Sequence, residues 1–221
     1  MKSKKCIVFL WVLAILPLIL TAAVYSRLPE QIPMQWGIDG EISRYGGKGE
    51  IWMIGGLGPF LALLFQFLPS LDPKKRSYEQ FQIYYEAFAL VTEAFFAVVT
   101  GLILAETMKP GTVSMGRAVS ALVGLLILFI GYILGKVKTN FFLGIRTPWT
   151  LSDPEVWDRT HRLGGILFSA AGLAAVIAAL FLPEAAAFWV LMGGIGIAAL
   201  IPVVMSCIWY RSRKEDKNTA E

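Results

Sequence analysis

The stretch CIVFLWVLAILPLILTAAVY, residues 6–25, decides the fold class. It carries no charged residue over a length that lets an α-helix cross the hydrocarbon core of a bilayer, for which about 20 apolar residues are needed. Similar stretches follow at residues 51–68, 82–105, 118–135, 163–182 and 186–210. The 221-residue sequence therefore predicts an all-α polytopic membrane protein with six transmembrane helices.

The composition supports this prediction. Hydrophobic residues make up 56% of the chain and charged residues only 16%, against about 25% charged residues in soluble domains. A small soluble protein has too little interior for so much apolar surface, which argues against a soluble enzyme, a nucleic-acid-binding domain or a disordered chain. Two cysteines and one histidine are too few for a disulfide scaffold or a zinc site, so we expect no metal and no cofactor.

The basic residues predict the orientation of the six helices. Lys and Arg accumulate in cytoplasmic loops, and only 5 of the 20 basic residues fall on one side: Arg27, Arg44, Lys48, Lys109 and Arg117. We therefore expect both termini in the cytoplasm, a structured outer loop at residues 26–50 and a structured cytoplasmic loop at residues 136–162. The positive charge then serves orientation and contact with membrane lipids rather than direct nucleic-acid binding. A cleaved signal peptide ending near Ala23 is the alternative interpretation of the first span.

The third span contains two carboxylates, Glu86 and Glu93. Their spacing of seven residues puts them on one helical face, about 10 Å apart along the axis. An ionisable residue inside the membrane is costly and is a candidate for function. Two interpretations remain open: the carboxylates line a proton or cation path or face a ligand, or they are neutral, hydrogen-bonded structural groups.

The outer loop is rich in turn-forming residues, among them Pro29, Pro33 and the Asp39–Gly40 pair. It is too short to fold alone, so we expect it to cover the outer mouth of the helix bundle. Its candidate ligand-binding residues are Gln35, Trp36, Asp39 and Gly40.

The cytoplasmic loop predicts its own local structure. Ser152 and Glu155 have capping-box spacing, which predicts that the fifth long helix begins near Asp153 with Ser152 as its cap. Tryptophans favour the headgroup layer, so Trp149 and Trp157 are expected to anchor the loop there. The remaining candidate binding residues of this loop are Asn140, Gly144, Arg146, Thr147, Pro148, Thr160 and His161.

These two loops also carry a family resemblance. The string Asn140-Phe-Phe-Leu-Gly-Ile-Arg-Thr-Pro-Trp-Thr-Leu-Ser152, followed by Val156-Trp157 and Thr160-His161-Arg162-Leu-Gly164, resembles the signature of the SdpI-type immunity membrane proteins. Residues 28–48 resemble the small two-helix domain of unknown function that often precedes this core. The resemblance divides the chain into an N-terminal unit, residues 1–70, and a four-helix core, residues 71–221. Gln35 and Ser43 stand where family members commonly have His and Asp.

The resemblance implies a function that composition and spacing do not give. It implies a bacterial plasma-membrane protein without enzymatic activity that confers immunity to a secreted, membrane-active peptide toxin. It also implies a sensor role, in which the protein holds a cytosolic transcriptional repressor at the membrane and so links the toxic substance to signal transduction. Two alternatives stay open: a small proton-coupled transporter using Glu86 and Glu93, and a membrane enzyme at the inner-surface His161 loop.

Overall fold

The computed structural model describes residues 3–220, with side chains described for residues 3–215. Six of its helices are long and apolar enough to cross a membrane, which confirms the six predicted spans. The helices are α1 (Lys4–Val24), α2 (Ile51–Leu71), α3 (Ser77–Gln80), α4 (Gln82–Met108), α5 (Met115–Leu134), α6 (Pro148–Ser152), α7 (Pro154–Phe181) and α8 (Glu184–Ala220). The short helices α3 and α6 were not predicted from the sequence.

The long helices pack as two groups of three. α1, α2 and α4 pack against one another, and α7 packs against both α5 and α8. The two groups meet along a much thinner contact between α4 and α5. In space α4 thus lies with the N-terminal helices α1 and α2. The division of the chain at residue 70 concerns the sequence and stays a prediction.

Glycines allow α5 and α7 to approach backbone to backbone. A methyl group at Gly131 would overlap Ser169, and one at Gly172 would overlap the backbone of Leu128. Close packing on small residues is how membrane helices associate without a hydrophobic driving force. Gly131 and Gly165 therefore serve close contacts between helices within this chain.

The loop between α1 and α2 forms a β-hairpin, which the all-α prediction did not include. Strand β1 (Gln31–Trp36) pairs antiparallel with β2 (Ile42–Gly47), from Gln31 opposite Gly47 to Trp36 opposite Ile42, with irregular register in between. Gly40 has a φ of +82° in the connecting turn, a left-handed conformation that glycine adopts without steric cost. Ile32 of the hairpin is fully buried against the adjoining ends of α4 and α5.

The bundle has two distinct ends. The backbone N–H of Ser3 donates to the Glu86 carboxylate at the start of α4, and Arg213 of α8 pairs with Asp153 before α7. The described starts of α1 and α4, the far end of α8 and the segments 72–77 and 136–153 thus share one end, called the signature end below. The hairpin lies at the opposite end, called the hairpin end.

Candidate functional site

Asn140 is fully buried at the signature end, where its side chain forms hydrogen bonds with the surrounding backbone. Its Nδ2 donates to the carbonyls of Lys138 at 2.8 Å and Leu143 at 3.1 Å. Its Oδ1 accepts from the backbone N–H groups of Phe142 at 2.8 Å and Leu143 at 2.7 Å. One amide side chain therefore satisfies the backbone of a tight loop that has no secondary structure of its own.

Asp72 ties this loop to the group of helices on the other side. Its Oδ2 accepts from the Phe141 N–H at 2.8 Å and from the Tyr78 hydroxyl at 3.1 Å, and Oδ1 accepts from the Lys74 N–H at 2.7 Å. The Tyr78 hydroxyl also lies 3.4 Å from Asn140 Oδ1. Burial and the neighbouring Asp72 raise the pKa of Tyr78, so the phenol stays a neutral donor in this network.

His161 is buried, with 1% of its surface exposed, and both ring nitrogens have backbone partners. Nε2 accepts from the Ile145 N–H at 3.0 Å, and Nδ1 lies 2.8 Å from the carbonyl of Trp157. Only the neutral tautomer with a proton on Nδ1 satisfies both contacts. Gly144 packs directly on this ring at a φ of +103°. The geometry gives His161 the role of positioning the loop of residues 136–147, called the signature loop below.

Trp157 lies inside the protein, so the predicted position at the headgroup layer is wrong for this residue. It is fully buried, its Nε1 donates to the carbonyl of Val137 at 2.9 Å, and its ring stacks on His161 at a centroid distance of 3.9 Å. A buried partner for the indole N–H outweighs the attraction of the interface. Trp149 remains half-buried at the surface of α6.

Thr147 begins the short helix α6 and connects it to α8. Its hydroxyl accepts from the Thr150 N–H at 3.1 Å, and Thr150 Oγ1 accepts from the Thr147 N–H at 2.9 Å. Pro148 occupies the first helical position. The Thr147 hydroxyl also lies 3.1 Å from the hydroxyl of Ser206. The predicted candidates Thr147 and Pro148 therefore form a helix start that is anchored on α8.

Asp153, and not Ser152, caps α7, so the predicted capping box is wrong by one residue. The Asp153 carboxylate accepts from the Glu155 N–H at 2.8 Å and the Val156 N–H at 3.3 Å, whereas the Ser152 hydroxyl donates back to Pro148 at 2.6 Å. Ser152 is held by the end of α6, which the sequence pattern did not reveal. Thr160, on the same inward stripe of α7 as His161, is also fully buried.

Beside the signature loop, α4 and α5 enclose an apolar cavity of about 200 Å³. Aromatic side chains of α4 and aliphatic side chains of α5 line it, and Leu143, Gly144 and Ile145 of the signature loop close one side. Arg146, by contrast, is exposed and donates to the carbonyl of Phe141. The signature end thus combines a buried polar framework with an exposed basic side chain.

At the hairpin end, Glu184 holds the hairpin turn against α5 and α8. Its Oε1 accepts from the Ser114 hydroxyl, and methyl groups at Gly40 or Gly116 would overlap its Oε2. The carboxylate also lies in the first turn of α8, where a negative charge is favoured by the helix dipole. Gly40 is thus required both for the turn and for the approach of Glu184.

A cavity of about 330 Å³ adjoins this contact. Residues 34–38 of the hairpin, the first turns of α5 and α8, and the side chains of Glu184 and Phe188 line it. Of the predicted outer-loop candidates, Gln35 and Trp36 reach the cavity, whereas Asp39 accepts the N–H of Glu41 in the turn at 3.1 Å. The hairpin therefore joins the N-terminal helices to the second helix group across an open cavity.

The two carboxylates of α4 have different surroundings. Glu86 is half-buried at the signature end, where it accepts from Gln82 Nε2 at 2.9 Å and from the backbone of Ser3 at 3.3 Å. Glu93 is 1% exposed in the interior of the first helix group. The two therefore do not form one site.

Two regions of the chain match known protein-family models. Residues 136–206 match the model of the SdpI/YfhL protein family, and residues 12–58 match a domain of unknown function, DUF1648. This C-terminal region of the chain is therefore similar to the SdpI/YfhL family. Both the predicted family and the predicted preceding domain are thereby confirmed. No curated protein and no solved structure is significantly similar to the chain.

The SdpI/YfhL region contains the signature loop, α6, α7 and much of α8, and the DUF1648 region contains the hairpin. Three further residues complete the two ends. Asp72 and Tyr78 lie outside both matched regions, and Glu184 lies within the SdpI/YfhL region. Sequence reasoning assigned none of the three to a functional site. The Asp72–Pro73 pair was a turn signal and Glu184 after Pro183 a helix-start signal, but neither signal indicates the distant partner.

Proposed function

We propose that this SdpI/YfhL protein is a bacterial membrane immunity protein that protects its cell from a secreted, membrane-active peptide. The observation that carries the proposal is the family match over residues 136–206, joined to six helices able to span a membrane. A fold alone does not define a function, so the proposal takes its chemistry from the two ends of the bundle.

The hairpin end is proposed as the outer, peptide-facing side. Only 5 of the 20 basic residues lie at this end by sequence, and positive charge concentrates on the cytoplasmic side of membrane proteins. This assignment puts both termini in the cytoplasm of a cell whose inner membrane holds the protein. The cavity beneath the hairpin presents Trp36 and Phe188 beside Glu184, which suits an apolar peptide segment that carries a positive charge.

The signature end is proposed as the site that contacts a cytosolic repressor. The exposed Arg146 and the 40% exposed Phe141 supply the outward surface. Trp157 and His161 are buried and would maintain that surface without touching a partner. The proposed division of roles separates residues that contact the repressor from residues that hold the loop.

Expression in a toxin-sensitive bacterial strain tests immunity. Cells carrying the protein are expected to survive a panel of membrane-active peptides that kill the empty-vector strain, and Trp36→Ala is expected to reduce survival. Gln31→Ala is the matched control, because Gln31 is exposed on the same strand and does not line the cavity. Equal killing with and without the protein, across the panel, would refute immunity.

Recruitment of repressors tests the sensor role separately. Membranes containing the protein and an active peptide are expected to retain a repressor encoded near its gene, and Arg146→Ala should weaken retention. Lys138→Ala serves as control, since Lys138 is an exposed basic residue of the same loop. Retention that is identical for both variants and independent of peptide would reject this assignment.

A further inference from the structure

Glu93 is the most isolated charged residue in the described part of the chain. It lies in the middle of α4, is 1% exposed, and neither carboxyl oxygen has a hydrogen-bond partner. Buried polar groups nearly always have partners, so an exception indicates a missing water, ion or functional role. Neither family region includes residue 93, so the family match assigns it no role.

The helices around Glu93 provide no counter-charge at its depth. Helix α2 has no titratable side chain, and those of the neighbouring helices are few and are acidic, phenolic or confined to the helix ends. They are Lys4, Lys5 and Cys6 of α1, Tyr84, Tyr85, Glu86 and Glu106 of α4, and Arg117 and Tyr132 of α5. An unpaired carboxylate is too costly at this depth, so the group must take up a cation, of which the proton is the smallest.

Gly58 allows α2 to pack closely against α1 and Glu93. A methyl group at Gly58 would lie 3.2 Å from Glu93 Oε2 and 2.6 Å from the carbonyl oxygen of Ala14, so a larger residue there would press on the Glu93 carboxyl group. Pro17 in α1 and Pro59 in α2 each remove one helical hydrogen bond. The carbonyls four residues earlier in each helix thereby lose their usual donor.

Glu93 also belongs to a polar stripe that runs the length of α4. Glu86, Glu93, Thr100 and Thr107 follow at intervals of seven residues and so share one face. The last three are buried, and α1 adds the buried hydroxyl of Thr21, which has no partner either. Thr100 and Thr107 donate to the carbonyls of Phe96 at 2.9 Å and Ile103 at 2.7 Å within α4, so Glu93 is the one member of the stripe that has no hydrogen-bond partner among its described side-chain atoms.

We propose that Glu93 is a reversible proton-binding site inside the membrane. A proton from water binds one carboxylate oxygen of Glu93 to form the neutral acid, and the reverse step returns it. No other bond forms or breaks. The proposal does not depend on immunity to a peptide.

Dicyclohexylcarbodiimide tests this site in the intact, purified protein in lipid nanodiscs. This apolar reagent adds to protonated carboxyl groups within membranes, and mass spectrometry of the digested chain locates the adduct. We expect an adduct at Glu93 whose rate of formation falls with rising pH. Above the pH at which half of the Glu93 carboxyl groups are protonated, the rate should fall about tenfold for each pH unit. The measurement on the unsubstituted chain does not depend on how any variant folds.

Glu106 is the matched control on the same helix. It is also buried, at 6% exposed, but its two oxygens accept the N–H groups of Gly111 at 2.7 Å and Val113 at 3.0 Å. Glu93→Gln should abolish the adduct, and Glu106→Gln should leave it unchanged. Absence of an adduct at Glu93 at every pH, or a rate that does not vary with pH, would overturn the proposal. Protection by sodium at constant pH would equally overturn it, because the bound species would then be a metal cation.

Discussion

Gly144→Ala is expected to disrupt the signature end more than its size suggests. Gly144 has a φ of +103°, and a methyl group there would overlap Nε2 of His161. That nitrogen accepts the Ile145 N–H at 3.0 Å. The substitution therefore strains the backbone and also pushes the ring away from a half-buried N–H donor.

The expected cost follows from these two contributions. A residue held in a poorly populated backbone conformation costs about 1–3 kcal/mol. A buried N–H left without an acceptor costs about 1–3 kcal/mol more. Gly144→Ala should therefore lower the free energy of unfolding by about 2–6 kcal/mol. This range applies when the His161 ring is displaced and residue 144 keeps its left-handed backbone conformation.

Thermal unfolding in detergent measures the total, and hydrogen exchange at the Ile145 amide reports the local contact. Gly111→Ala is the matched control, since Gly111 has a φ of +80° and no atom near its missing methyl group, so only the strain applies. In a His161→Ala background the overlap disappears, and Gly144→Ala should then cost only the strain. An equal cost in both backgrounds would refute the contact with His161.

Substitutions at three further contacts provide additional tests. Trp157→Phe should cost about 1–3 kcal/mol in thermal unfolding because it strands the buried carbonyl of Val137; a neutral result would mean that the indole N–H contributes nothing. Gly116→Ala should displace the Glu184 carboxylate and increase trypsin cleavage in the hairpin, and Glu184→Ala should suppress that increase; cleavage that stays at the native rate would count against the contact. The raised pKa of Tyr78 means that the folded state holds the phenol proton more tightly, so its stabilisation is complete below about pH 10 and is lost at higher pH. Unfolding followed from neutral to alkaline pH should show a smaller loss of stability for Tyr78→Phe, and identical pH profiles would contradict this.

The six spans could be predicted because hydrocarbon imposes a length and a composition on each helix separately. The one-turn spacing of Trp157 and His161 is also visible in the sequence, but it does not show that their shared face is buried. The hairpin was harder to predict, because irregular register and proline within β1 hide the alternation typical of strands. Its turn residues indicated a folded segment without indicating which fold.

Long-range contacts were beyond the sequence pattern. Asp72 and Phe141 are 69 residues apart, and Ser114 and Glu184 are 70 residues apart. Nothing in the local order of residues shows that either pair meets. The same reason explains the error at Trp157, whose acceptor on Val137 decides between burial and the membrane interface.

The two helix groups are joined differently at their two ends. At the signature end, Asp72, Tyr78 and Asn140 connect them through buried hydrogen bonds that water cannot readily replace. At the hairpin end, the Glu184 carboxylate accepts from Ser114 and packs against two glycines beside an open cavity. Fewer buried hydrogen bonds therefore hold the hairpin end together, so we expect local opening to need less free energy there than at the signature end.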